Sequence, residues 1–465
     1  MHLGSGGKNG LVSHPQTLNI HPQNLRHICY FLIRLQKYIL GTVPSVSFFL
    51  NVVKSCYFVA KLTRKEPSLL CQFAIFAIVL EIVEMTKSYE EINEKIRKGK
   101  AVVLTAEEVS EMAKTMSPKE ILEKVDVVTT ATFGAMCSSG AFLNFGHANP
   151  PIRMERIEIN GVPVSGGLAA VDTFVGATDC NPQNPTYGGA HIIQELIDGK
   201  ELTLEAWGKG TDCYPRKHIK TQISLKTINE AILMNPRNAY QNYNVAVNST
   251  DRTLYTYMGT LLPHMKNASY SSAGELSPLL NDPECRTIGL GTRIFLCGTQ
   301  GYVVWNGTQF NCSKPLNEYG VPMGNARTLA LMGEMREMSS EFLRGAYFEK
   351  YGVTMYVGVG VPIPLLDEDL AHRVSIRNSQ IDTFIEDYGC KGDLIGKVNY
   401  EQLRSGEIEF MGKKIHTAPL SSLSKARKIA AILKDWIEKG QFDLTAPVRP
   451  MPTGTSLQGL KDLNL

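Results

Sequence analysis

Residues 125–140 read VDVVTTATFGAMCSSG, and the order of residue types in this stretch decides the predicted fold. The β-branched run Val125–Ala131 is typical of a buried strand. The small polar residues at 138–140 suit a turn or the start of a helix. We therefore expect Cys137 in a loop that leaves the end of a strand, which is where ligands bind in α/β proteins.

The chain after Met85 alternates short β-rich runs with helical patterns. RIEINGVPVSGG (156–167) predicts two strands joined at an Asn-Gly turn, and SLSKARKIAAILKDWIEKG (422–440) predicts an amphipathic helix. Helices are also predicted over 224–234 and over 326–352, where apolar residues recur at helical spacing. This alternation predicts an α/β fold with a mixed sheet core and a smaller C-terminal α+β module.

Changes in composition divide the chain into three parts. Residues 1–84 are atypical, and their most apolar segment, LLCQFAIFAIVLEIV (69–83), is short for a membrane span. Our hypothesis is that Met85 is the true start and that the extension is spurious; a membrane anchor is the alternative. Residues 85–374 are predicted to form a catalytic α/β domain, and residues 375–465 a C-terminal module.

Overall composition excludes several classes of protein. The chain has 465 residues, a hydrophobic fraction of 43% and a formal net charge of +3, all ordinary for a globular protein. It has no Lys/Arg run with interleaved aromatic residues, so nucleic-acid binding is not predicted. Its ten cysteines form no CxxC pair and no Cys/His cluster with zinc spacing, which predicts a cytoplasmic protein without a metal site.

Cys137 is the first candidate for chemistry. A thiolate is reactive where backbone N–H groups or cations lower its pKa, and a Gly/Ser-rich turn at a strand end supplies N–H groups. A small buried hydrophobe is the alternative, because that is the usual state of a free cysteine. The local sequence leaves both interpretations open.

The loop GKGTDCYPRKH, residues 208–218, holds the second candidate. Here Cys213 is followed within five residues by Arg216 and His218. Cations next to a thiol can lower its pKa, and they can also bind a substrate carboxylate. A solvated basic turn is the alternative interpretation.

Five long motifs resemble the homocysteine biosynthesis family of anaerobic microbes. They are TATFGAMCSSGAFLNFGHANPPIRM, GGLAAVDTFVGAT, NPTYGGAHIIQELIDGKEL, GKGTDCYPRK and GTRIFLCGTQGYV. The resemblance runs from about Met85 to beyond residue 440. The characterised activity of that family is sulfur transfer to L-aspartate semialdehyde, which makes homocysteine.

The resemblance implies two functional cysteines, which map onto Cys137 and Cys213. It also implies a small 4Fe-4S partner protein of the ferredoxin type that supplies electrons. The chain itself has no cysteine motif for an iron–sulfur cluster, so no cofactor is expected on it. Some relatives carry C-terminal regulatory modules, and the region after residue 375 does not match their pattern.

These expectations combine into one chemical prediction. A thiolate can carry sulfur as a persulfide, attack the carbonyl of aspartate semialdehyde and be regenerated by a second thiol and a reductant. Arg216 is then predicted to bind the substrate carboxylate bidentately, with His218 and His147 as candidates for proton transfer to the aldehyde oxygen. A cysteine-dependent acyl or CoA transferase and a non-catalytic scaffold for an iron–sulfur protein are the alternatives.

Overall fold

The stretch that decides the predicted fold forms the strand and loop expected of it. The computed structural model describes residues 86–309, 311–390, 392–453 and 457–460. The predictions made for residues 1–84 therefore lie outside the described residues. Strand Val127–Ala135 is buried along all but its last residue, and Cys137 follows in the turn that leaves it.

Short strands dominate the described part of the chain, with helices between them. The helices are α1 Tyr89–Arg97, α2 Ala106–Met112, α3 Pro118–Lys124, α4 Gly189–Ile197, α5 Pro278–Asn281, α6 Glu368–Arg373, α7 Tyr400–Arg404 and α8 Leu423–Glu438. The strands are β1 Val103–Thr105, β2 Val127–Ala135, β3 Gly140–Asn144, β4 Arg156–Ile159, β5 Val162–Val164, β6 Asp172–Gly176, β7 Cys180–Asn181, β8 Asn184–Gly188, β9 Leu202–Trp207, β10 His218–Ile223, β11 Glu230–Asn238, β12 Val245–Val247, β13 Leu254–Thr256, β14 Gly259–Leu261, β15 Asn267–Tyr270, β16 Gly289–Leu290, β17 Arg293–Leu296, β18 Thr299–Asn306, β19 Leu329–Glu334, β20 Leu343–Phe348, β21 Gly352–Pro364, β22 Asp382–Asp387, β23 Asp393–Asn399, β24 Glu407–Phe410, β25 Lys413–Pro419 and β26 Arg449–Pro450.

The largest sheet has ten strands. Its order is β1-β2-β21-β17-β18-β19-β11-β3-β6, and β20 also pairs with β21. Strands β1 and β2 are parallel, whereas β2 and β21 are antiparallel over the whole of β2. The sheet is therefore mixed, and the predicted α/β class with a mixed sheet core is confirmed.

The large sheet must curl strongly, because β2 and β3 are consecutive in the chain. Six interstrand steps separate them in the sheet, which would place them about 29 Å apart if the sheet were flat. The connection from Ala135 to Gly140 can span at most about 18 Å. The sheet therefore bends until the end of β2 approaches the start of β3, and Cys137 lies at this junction.

Helix α8 covers one face of the large sheet, against β2 and β21. The amphipathic helix predicted over 422–440 is confirmed: Ser422 caps its N-terminus, and its buried residues recur at helical spacing. The buried residues are Ala426, Ile429, Ala430, Leu433 and Ile437. Thr105 and Glu108 form a capping box at the start of α2.

A six-stranded sheet crosses the boundary that the sequence predicts at residue 375. Its order is β23-β22-β12-β15-β25-β24, so two strands from residues 245–270 lie between strands from residues 382–419. A smaller sheet, β10-β9-β4-β5, is antiparallel throughout. Residues 85–465 form one compact unit, in which the C-terminal strands pair with strands from the middle of the chain.

Two predicted helices are wrong. Residues 326–352 form β19, a 3-10 turn and β20, and residues 224–234 form a turn followed by the start of β11. The burial of β11 alternates, with Ala231, Leu233 and Asn235 inside, because β11 pairs on both sides with β3 and β19. Apolar residues spaced for one face of a helix also fill alternate positions of a strand, and pairing with distant strands decides between the two.

Candidate active site at Cys137

Cys137 is half-buried in a tight turn that joins β2 to β3. The backbone N–H and the hydroxyl of Ser139 both donate to the carbonyl oxygen of Met136, at 3.1 Å and 2.8 Å. The side-chain amide of Asn235 donates to the Ser139 hydroxyl at 2.5 Å. Ser139 therefore fixes the turn, and its hydroxyl proton is directed to Met136 and not to the Cys137 thiol.

The small residues around Cys137 have packing reasons of their own. A Cβ atom at Gly140 would lie 2.2 Å from the ring of Phe174 on the neighbouring strand β6. A Cβ atom at Gly134 would lie 3.0 Å from the Ser421 hydroxyl. Close approach of neighbouring chain segments thus requires glycine at both positions, independently of any role for the thiol.

Two strands extend beyond the Cys137 turn, one on each side. Strand β21 begins at Gly352, four residues before Tyr356, the partner of Ala135 at the end of β2. Strand β11 continues to Asn238, four residues past Met234, the partner of Gly140 at the start of β3. The ends of these strands therefore flank the thiol.

Tyrosines occupy the chain just beyond both strand ends. Five of them form what we call the tyrosine cluster, which comprises Tyr240, Tyr243, Tyr257, Tyr351 and Tyr388. Ring centroids are 5.0 Å apart for Tyr240 and Tyr243, and 6.2 Å apart for Tyr257 and Tyr351. The side chain of Tyr351 interacts electrostatically with Cys137. The cluster reaches the surface, because Tyr257 is 41% exposed and Tyr351 is 38% exposed.

The phenols that adjoin Cys137 remain protonated at neutral pH. Burial raises the pKa of Tyr351, and the charge and hydrogen bond of Cys137 raise it further. Burial also raises the pKa of Tyr240 to about 12, although the nearby Arg237 opposes this shift. Both hydroxyl groups are therefore available as hydrogen-bond donors to a sulfur anion or to a substrate oxygen.

Arg237 is the cation of this site, and the sequence analysis missed it. Its backbone N–H donates to the side-chain oxygen of Asn235 at 3.2 Å, and its half-buried side chain makes a hydrogen bond with Tyr240. The Tyr240 hydroxyl interacts electrostatically with Cys137 as well. Arg237 lies 100 residues from Cys137 in the chain. Its nearness to the Cys137 turn follows from the pairing of β11 with β3, which the sequence pattern does not give.

The structure places Cys213 in an exposed loop between β9 and β10. Of the predicted substrate-binding residues, Arg216 and His147 lie at this loop. The Arg216 guanidinium donates to the carbonyl oxygen of Asn149 at 2.8 Å, and the His147 ring stacks on Tyr214 with centroids 6.0 Å apart. The structure thus brings Arg216 and His147 to the loop of Cys213.

His218 is paired within the small antiparallel sheet. Its Nε2 atom lies 3.0 Å from the Glu205 carboxylate, which also binds Lys220 at 3.0 Å. The His218 ring lies against Trp207, with centroids 5.4 Å apart. Contacts within this sheet therefore explain the position of His218 without a role in substrate binding.

Strand β3 separates the two predicted catalytic cysteines. Cys137 precedes the strand, and His147, which stacks on the Cys213 loop, follows it. Five residues of strand cover about 14 Å between their first and last Cα atoms. The structure does not bring Cys213, Arg216, His147 or His218 to the Cys137 turn.

The other cysteines differ in their accessibility. Cys285 and Cys297 are buried, and burial raises the pKa of each thiol to about 12, which makes both poor nucleophiles. Cys180 is half-buried, and its thiol donates to the carbonyl oxygen of Thr178 at 3.2 Å. Cys137 is half-buried and interacts electrostatically with Tyr351 and Tyr240.

The described residues contain no group of three or more His, Cys, Asp or Glu side chains that could hold a metal ion. None of the helices in this same part of the chain is long and apolar enough to cross a membrane.

Comparison with known proteins gives a consistent family assignment. Residues 101–444 match the family described as homocysteine biosynthesis enzyme, sulfur-incorporation. The chain is 48% identical over 379 residues to the L-aspartate semialdehyde sulfurtransferase of Methanosarcina acetivorans, covering 81% of this chain and 74% of the relative. It is also 48% identical over 381 residues to the L-aspartate semialdehyde sulfurtransferase of Methanocaldococcus jannaschii, covering 78% of this chain and 72% of the relative. No solved structure matches the chain. A match of this extent shows that the chain belongs to the homocysteine biosynthesis family.

Proposed function

We propose that this protein is an L-aspartate semialdehyde sulfurtransferase, which places sulfur on the aldehyde carbon of its substrate to form homocysteine. The names of two relatives that are 48% identical over most of the chain support the reaction. One observation supports its location: Cys137 is half-buried in the turn after β2, at the junction of the curled sheet, and interacts electrostatically with Tyr351.

Cys137 carries the sulfur as a persulfide. The terminal sulfur attacks the aldehyde carbon, the new C–S bond replaces the C–O π bond, and the carbonyl oxygen takes a proton. Two electrons and two protons then cleave the S–S bond, which restores the Cys137 thiol and leaves a hydroxy-thiol on the substrate carbon. Loss of water gives a thioaldehyde, and two further electrons and protons reduce it to homocysteine.

Tyr351 supplies the proton to the carbonyl oxygen. Its hydroxyl interacts with the Cys137 side chain, so a carbonyl carbon attacked by the terminal sulfur of a Cys137 persulfide brings its oxygen close to the same hydroxyl. Burial keeps the phenol protonated and able to donate. Solvent reprotonates Tyr351 after the step, since its side chain is 38% exposed.

The four electrons come from a ferredoxin-type 4Fe-4S protein, and this chain binds no cofactor of its own. Cys213 acts as the relay thiol, which accepts sulfur or exchanges disulfides at the surface. Its exposed position suits an encounter with another protein.

The experiment compares sulfur loading with turnover. Purified protein, handled without oxygen, is incubated with a sulfane donor, and Cys137 is examined by mass spectrometry for the addition of one sulfur atom. Homocysteine formation from aspartate semialdehyde is then measured with the same sulfane donor and a low-potential reductant. Cys137→Ser should lose both activities, because a hydroxyl cannot hold a persulfide. Cys390→Ser, a change at another exposed cysteine, is the matched control.

A fully active Cys137→Ser variant would refute the proposal. Formation of a thioester on Cys137 without any sulfane sulfur would favour an acyl or CoA transferase. Absence of both modifications, together with tight binding of an iron–sulfur protein, would favour a scaffold.

A further inference from the structure

The Cys137 turn and Arg237 belong to one connected framework. Asn235 donates from its side-chain nitrogen to Ser139, two residues after Cys137, and accepts with its side-chain oxygen from the backbone N–H of Arg237. Asn235 is fully buried, so this link is shielded from water. The position of the Arg237 backbone is therefore fixed relative to the thiol.

Arg237 has unused capacity to bind an anion. Its half-buried guanidinium has a neutral partner, the Tyr240 hydroxyl. Within residues 86–460, as far as the structure describes them, the ion pairs between basic and acidic side chains do not include Arg237. A guanidinium has five N–H donors in a planar fork that matches a carboxylate. Partial burial of this charge without an acidic partner costs free energy that a bound anion would recover.

We propose that Arg237 binds the carboxylate of the amino-acid aldehyde and thereby selects substrates that carry one. This inference rests on the proposed function, because the site needs a substrate whose carbonyl reaches Cys137. Tyr240 lies between the two ends of the site, since its hydroxyl interacts with both the Arg237 guanidinium and Cys137. A four-carbon substrate with its aldehyde at the sulfur and its carboxylate at Arg237 would lie along this hydroxyl.

The rival for this role is Arg216, which the sequence analysis predicts. Its guanidinium donates to the carbonyl oxygen of Asn149, beyond the opposite end of β3 from Cys137. A substrate bound there would have its aldehyde carbon near the exposed Cys213 loop. Binding of the carboxylate at Arg237 and binding at Arg216 therefore predict different effects of each substitution on KM for aspartate semialdehyde.

The test compares Arg237→Gln with Arg216→Gln, and uses Arg97→Gln as a control for a surface arginine, which pairs with Asp443 and is 60% exposed. Loss of charge-assisted hydrogen bonds to the carboxylate should raise KM for aspartate semialdehyde roughly 10- to 100-fold in Arg237→Gln. Sulfur loading of Cys137 should stay at the wild-type level. Guanidinium ions added to an Arg237→Ala variant should lower its KM again, which a purely structural role for Arg237 would not predict.

An unchanged KM in Arg237→Gln, or a rise in KM in Arg216→Gln alone, overturns the inference and leaves the proposed function intact. A loss confined to kcat, without rescue by guanidinium, also overturns it. If the wild-type protein neither loads sulfur on Cys137 nor forms homocysteine, the proposed function itself fails.

Discussion

Tyr351→Phe tests the chemical role of the tyrosine cluster most directly, because it removes one hydroxyl and leaves the ring. In the proposed step, the lost interaction is the hydrogen bond that the hydroxyl donates to the carbonyl oxygen as this oxygen gains negative charge. A hydrogen bond to a charged group contributes about 1.5–3 kcal/mol. Since the Tyr351 side chain is 38% exposed, water replaces part of this interaction and the lower end of the range applies. A loss of about 1.5–2 kcal/mol in the transition state corresponds to a 10- to 30-fold lower rate of carbon–sulfur bond formation.

The assay is a single turnover that begins from protein already loaded with sulfur at Cys137. Loading and transfer are thereby measured separately, and Tyr351→Phe should slow transfer while the amount of sulfur loaded stays unchanged. Tyr302→Phe is the matched control, because Tyr302 is 44% exposed on β18 and lies outside the tyrosine cluster. Both variants should have similar midpoint temperatures of thermal unfolding, since each keeps its aromatic ring.

Equal transfer rates for Tyr351→Phe and Tyr302→Phe would refute the reasoning, because the hydroxyl would then contribute nothing to the step. A defect in loading alone would assign Tyr351 to stabilising the Cys137 thiolate or persulfide, and not to proton donation. The pH profile adds a second check. Burial and the neighbouring Cys137 raise the pKa of Tyr351. Deprotonation of Tyr351 should therefore not lower the transfer rate at any pH up to about 10, the ordinary pKa of tyrosine.

Two further predictions concern the relay thiol and the stability of the fold. Cys213→Ser should leave sulfur loading of Cys137 intact and lower steady-state homocysteine formation, measured with the ferredoxin-type reductant; unchanged turnover would remove Cys213 from the mechanism. Asp126→Asn should lower the free energy of unfolding by about 1–3 kcal/mol at pH 7, because burial of this carboxylate is offset by hydrogen bonds from Lys95 and Lys87 that lower its pKa. The Asp126 carboxylate contributes this stability above its unfolded pKa near 4, and the contribution disappears as the pH falls through the lower folded pKa. The free energies of unfolding of the two proteins, measured in urea, should therefore become equal in acid. A difference that persists in acid would contradict the prediction.

Local patterns were sufficient to predict part of the site. The β-branched run before Cys137 and the small residues after it predict a strand followed by a turn, and both are present. The amphipathic pattern over 422–440 predicts α8, and α8 is present. Each of these patterns lies within the strand, turn or helix that it predicts, so the local sequence is sufficient to identify the element.

The surroundings of Cys137 could not be predicted in the same way. Tyr240, Arg237 and Tyr351 reach the thiol because β11 and β21 extend past the ends of β3 and β2. Periodicity gives no strand order, and the helices predicted over 224–234 and 326–352 covered the start of β11 and Tyr351. The residues predicted by nearness in the sequence, such as Arg216, lie instead at the loop of Cys213.

The separation of the two thiols constrains how they can act together. A disulfide needs Cα atoms within about 7 Å, whereas β3 alone covers about 14 Å between the Cys137 turn and the segment that contacts the Cys213 loop. Direct exchange would therefore need the 208–217 loop to leave its contacts with His147 and Asn149. A division of labour needs no such movement. In the proposed mechanism the exposed Cys213 would meet protein partners, while the half-buried Cys137 would hold a persulfide beside the tyrosine hydroxyls. Sulfur then has to pass between the two sites on a diffusible carrier of sulfane sulfur, such as a small-molecule persulfide, so removing small-molecule persulfides during turnover should inhibit a protein that works in this way.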